Sequence, residues 1–77
     1  MPRGIFNWTF DDVVDFLKEY NFTLNYVNAS HYYYHGIYEK KSRHVCVPFH
    51  GKVAIKTRTL KGIIMQSGIP QKEWTKK

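Results

Sequence analysis

Four histidines, His31, His35, His44 and His50, fall within twenty residues of this chain, and most of its lysines and arginines come after them. Imidazole exchanges protons near neutrality, and a neighbouring lysine or arginine stabilises developing negative charge. Together these groups suit RNA cleavage, which asks little of a catalyst. The 2′-OH of RNA can attack the adjacent phosphate once a base removes its proton, and an acid then protonates the departing 5′-oxygen. His31 is the candidate for that proton transfer, because a strand starts there, directly after Ala29 and Ser30. Ser30 is a candidate for positioning the turn or bonding the phosphate, and His50 is a geometric candidate for a second group. Lys52, Lys56, Arg58 and Lys61 surround the start of a helix, whose free N–H groups also favour phosphate. Tyr33 is a candidate for base stacking, with cross-strand packing as the alternative.

Two other readings use the same residues. The histidines and Cys46 are metal-ligand types, but no CxxC or HExxH spacing is present. Histidines four apart on a strand are also too far apart to share an ion, at about 3.3 Å of rise per residue. No metal site and no cofactor are therefore expected. A two-metal nuclease would need clustered carboxylates. Asp11, Asp12 and Asp15 are the clustered ones, and helix capping and solvation account for them. The remaining reading is that these are surface histidines, and for His35 and His44 it is the preferred one.

The elements that must position these groups follow from periodicity. Thr9 reads as an N-cap with Asp11 and Asp12 in the first turn, and Phe10, Val13, Val14 and Leu17 have helical spacing, which predicts a helix over 10–20. Phe22, Leu24 and Tyr26 alternate with polar residues, which predicts a strand with one buried face. After a tight connection at Asn28, Ala29 and Ser30, a second strand is predicted at about 31–38, a polar turn over 39–42, and a third strand over 43–48. A loop over 49–55 carries Gly51, and Leu60, Ile63 and Ile64 mark a second helix over 57–67, ended by Gly68. Gly62, inside that helix, suggests close packing on the sheet. Residues 70–77 form a tail, with Trp74 a candidate for folding back.

The fold class is thus α+β, in the order αβββα: a three-stranded antiparallel sheet with two helices on one face, as in double-stranded-RNA-binding domains. A four-residue turn at 39–42 would pair Tyr38 with Arg43, Tyr34 with Val47 and His35 with Cys46. Continued past Pro48, that register sets His31 opposite His50. Tyr32, Tyr34, Tyr38, Val45 and Val47 would then face the helices, leaving His31, Tyr33, His35, His44 and Cys46 on the open face.

At 77 residues the chain is expected to be one domain, 1–77, with a core over about 9–69. Its net charge of +6 is polarised. Residues 1–39 carry two basic and five acidic side chains, and residues 40–77 carry ten basic and one acidic. Such a field fits phosphate backbones, acidic protein partners or anionic membranes. A single cysteine, no apolar leader over 1–8 and no run long enough to cross a bilayer point to a cytoplasmic protein that does not act in a membrane.

Three fragments carry a family resemblance. They are Ser30-His31 before an aromatic strand, Val45-x-Val47-Pro48-x-His50-Gly51, and Thr59-Leu60 leading to Ile63-Ile64-x-Gln66-Ser67-Gly68-Ile69. In this order and spacing, over about 10–69, the chain resembles the HicA toxins of toxin–antitoxin systems. The resemblance implies a double-stranded-RNA-binding-like fold, an mRNA interferase cleaving messenger RNA, and a cognate HicB-type antitoxin that covers the active site. It also matches His31 to the family's catalytic histidine. Two departures stand out: the family usually has glycine where this chain has Ala29, and again where it has Arg58. If the turn at Ala29 needs a positive φ, Asn28 is a candidate to adopt it instead. The alternative function is a non-catalytic RNA-binding module of the same fold.

Overall fold

The computed structural model describes residues 4–76. Residues 1–3 and 77, the ends of the expected domain, lie outside the described residues. The chain runs α1 (Phe10–Glu19), β1 (Thr23–Asn28), β2 (His31–Tyr38), β3 (Lys41–Pro48), α2 (Thr57–Ser67) and α3 (Gln71–Trp74). The three strands form one antiparallel sheet in sequence order.

Local chemistry sets the helix ends. Thr9 caps α1 in a reciprocal box: the Asp12 N–H donates to the Thr9 hydroxyl oxygen at 3.3 Å, and the Thr9 N–H donates to the Asp12 carboxylate at 2.9 Å. Asn21, at φ 66°, turns the chain out of α1. Gly68 ends α2 in the left-handed region at φ 75°. The apolar stripes of α1 and α2 meet Tyr34, Val45 and Val47 in one core.

That core reaches past residues 9–69 at both ends. Trp8 and Trp74 are buried, and Trp74 stacks on Phe16 with ring centroids 4.0 Å apart. The tail does fold back, as the short helix α3. The Tyr20 hydroxyl donates to Glu73 at 3.2 Å, which ties α3 to the end of α1.

Three expectations are corrected. The turn after β2 has two residues, not four. Glu39 and Lys40 both have positive φ, 52° and 67°, and pair Tyr38 with Lys41. This is the twist of a two-residue hairpin, normally supplied by Asn-Gly, so Glu-Lys gave no signal for it. The register therefore slips by two: Tyr34 faces Val45, His35 faces His44, and His31 faces Pro48 instead of His50. A slip of two preserves parity, so the assignment of residues to faces stands.

The second correction concerns β1, which is exposed along its whole length. A bulge between Leu24 and Tyr26 breaks the alternation. Phe22 is buried, beneath Gly36, but Leu24 lies at the sheet edge with 49% of its surface exposed. Tyr26 turns to the open face and stacks on Tyr33 at 4.5 Å. The third concerns Gly62, which packs against nothing: a Cβ there would meet no atom within 4 Å.

Candidate active site

His31 is exposed at the first position of β2. The turn before it is tight, and Ala29 itself takes the left-handed conformation, at φ 55°. Asn28 remains in β1 and pairs with His31, so it does not relieve Ala29. The Ser30 carbonyl accepts the Phe49 N–H at 2.8 Å, one step beyond the last pair of the β2–β3 ladder. The Phe49 ring packs edge-on against Phe10 at 5.0 Å. The chain thus stays fastened past Pro48. His50 follows, in a turn closed by the Val53 N–H donating to the His50 carbonyl at 3.2 Å.

This anchoring brings His31 and His50 together in spite of the changed register. Both line a cleft of about 370 Å³ at the outer edge of β3. Its strand side is His31, Cys46, Pro48 and His50, and its helix side is Thr59, Gly62, Ile63 and Gln66 from α2. A neighbouring cleft of about 580 Å³ shares Pro48, His50 and Thr59 and adds Lys56. The two hollows meet at His50 and Thr59, and His31 lines only the smaller.

The basic cluster divides. Lys56 lines the larger cleft at the N-cap position of α2, where no side chain caps the first turn and no acidic residue sits in it. Lys52, Arg58 and Lys61 are exposed near that helix start but line neither cleft. Ser30 contributes its backbone carbonyl to the turn. Tyr33 lies outside both clefts, between Tyr26 and Cys46 on the open face. The neighbouring Cys46 thiol, more than burial, pushes the Tyr33 hydroxyl above its ordinary value. His35 and His44 face each other with ring centroids 4.8 Å apart, away from His31 along the same face. Among the described residues, no three His, Cys, Asp or Glu side chains are grouped to hold a metal ion.

The sequence profile described as HicA toxin of bacterial toxin–antitoxin matches residues 10–69. The chain belongs to the HicA toxin family. The match runs from the first residue of α1 to the residue after the glycine cap of α2, so it takes in His31, His50 and both clefts. Membership of this toxin family implies a cognate antitoxin as its partner. Searches of curated proteins and of solved structures find no match. Among the described residues, no helix of this HicA toxin is long and apolar enough to cross a membrane.

The helix side of the cleft is what sequence reasoning missed. Thr59, Gly62, Ile63 and Gln66 stand at i, i+3, i+4 and i+7, one stripe of α2 beside its buried stripe of Leu60, Ile63, Ile64 and Ser67. That spacing was readable, but nothing in it distinguished a cleft wall from a solvated face.

Proposed function

We propose that this HicA toxin is a metal-independent endoribonuclease that cleaves messenger RNA in the cytoplasm, with His31 as general base or general acid. The observation that carries the reading is His31 exposed in a cleft beside His50, next to an uncapped basic helix start. One imidazole would take the 2′-OH proton and the other would protonate the 5′-oxygen as it leaves. His50 is the partner that the shared cleft favours. Ser30 holds the turn that aims His31. Lys56 grips a phosphate from the neighbouring cleft, with Lys52, Arg58 and Lys61 extending the positive surface along the strand. Tyr33, beyond the cleft, offers a ring to a more distant base. A HicB-type antitoxin would silence the toxin by covering this cleft.

This chemistry uses the substrate's own 2′-OH as nucleophile and leaves a 2′,3′-cyclic phosphate and a 5′-hydroxyl. An RNA carrying one 2′-deoxy nucleotide at the wild-type cut site tests it. Cleavage should stop at that site and continue elsewhere. Undiminished cutting at the deoxy position would contradict the mechanism. Binding of RNA without any cutting would make the domain a binding module.

A further inference from the structure

The cleft that holds His31 has a second wall, on α2, that proton transfer does not use. The Cys46 N–H, on the outward edge of β3, donates to Gln66 Oε1 at 3.0 Å. A backbone N–H can only donate, so the Gln66 atom facing it must be the oxygen. The amide orientation is thereby fixed, and the Gln66 NH₂, which donates and cannot accept, is not used by that bond, on an exposed residue that lines the cleft.

Between Gln66 and Thr59 the helix surface is bare. Gly62 is exposed, and nothing lies within 4 Å of where its Cβ would be. Glycine is the least favourable residue for a helix interior after proline, and no packing contact accounts for it here. What it leaves is room for a flat group beside the helix backbone.

From these two observations we infer that the stripe Thr59, Gly62 and Gln66 forms a nucleobase pocket for the nucleotide at the cut, in which the Gln66 NH₂ donates to a keto oxygen of guanine or uracil. Adenine and cytosine present an amino group on the corresponding edge, and two donors facing each other cannot pair. The inference rests on the ribonuclease reading, since the same cleft must carry out the cut. It adds a specificity-determining residue, Gln66, that does not transfer a proton.

The test is cleavage of an unstructured RNA of random sequence, with the cut ends sequenced, by wild type, Gln66→Glu, Gly62→Ala and His31→Ala. Gln66→Glu keeps an oxygen for the Cys46 N–H and replaces the donors with an acceptor. The added charge lowers all cutting, but the ratio between bases within one reaction is insensitive to that loss. The expected result is a wild-type preference for guanine or uracil at the cut that shifts toward adenine or cytosine by about tenfold in Gln66→Glu. Gly62→Ala places a methyl group in the pocket without touching the fold, so it should lower kcat/KM while Tm does not fall. An unchanged base distribution in Gln66→Glu, or full kcat/KM in Gly62→Ala, overturns the pocket while wild-type cutting that depends on His31 keeps the nuclease reading intact. A wild type that cuts with no base preference also overturns it. If wild type cuts nothing, the nuclease reading falls and the pocket falls with it.

Discussion

Ala29 illustrates how one methyl group bears on the turn before His31. Its φ of 55° is a conformation that L-residues adopt at a penalty of roughly 1–2 kcal/mol. The turn holds because both sides are fastened, by the Asn28–His31 pair and by the Ser30 carbonyl to Phe49. Glycine at this position relieves the penalty but adds freedom to the unfolded chain. Ala29→Gly should therefore stabilise the protein by about 1 kcal/mol in denaturant titration. No gain, or a loss, would mean that the turn is not strained. Sequence reading identified this position through the family's glycine and offered Asn28 as a candidate for the strained conformation, which Ala29 itself adopts. The reason is physical: Asn tolerates positive φ well in isolation, but at position 28 it is already committed to the ladder with His31.

The elements were legible where a single local rule governs them. Thr9 with Asp12, the strand His31–Tyr38 and the helix Thr57–Ser67 with its Gly68 cap follow from capping and periodicity. Errors arose where two strands must agree. The Glu39-Lys40 turn and the bulge in β1 depend on pairing, which no single-strand pattern contains. The face assignment survived because a two-residue slip conserves parity; the expected His31–His50 pairing did not, but both still line one cleft because Phe49 fastens the loop. The helix side of the cleft was invisible because its apolar member, Ile63, belongs equally to the buried stripe. At the other end of the chain, α3 is only four residues long and owes its place to Trp74, wedged between Trp8 and Phe16. Trp74→Ala should cost about 3–5 kcal/mol, a large share of the stability of so small a domain. A change in Tm of only a degree or two would show that the tail does not belong to the core.

For the whole molecule, charge polarity would link the proposed substrate and its inhibitor. Six acidic and twelve basic side chains, with the basic excess in the second half of the chain, are the charge balance that the proposed RNA substrate and an acidic antitoxin would both exploit. Lys56 is the cation that lines the larger, neighbouring cleft, so its removal should be felt in the salt dependence of RNA binding. Each phosphate contact to a single strand contributes about 0.7 to the slope of log K against log salt. Lys56→Ala should reduce the magnitude of that slope by about this amount. An unchanged slope would place the phosphate contacts elsewhere, on Lys52, Arg58 or Lys61. Because the antitoxin would cover the same face, RNA and antitoxin should compete, and the competition should weaken as salt rises.

The most direct measurement is cleavage of a structured and an unstructured RNA by purified protein, with and without EDTA, beside His31→Ala. His31 is exposed, so its removal should leave the fold intact, which Tm and circular dichroism would verify. The expected result is cutting that persists in EDTA and falls by at least about a hundredfold in the folded mutant, the usual contribution of a general acid or base. Cutting abolished by EDTA, or retained by His31→Ala, would contradict metal-independent catalysis at this histidine.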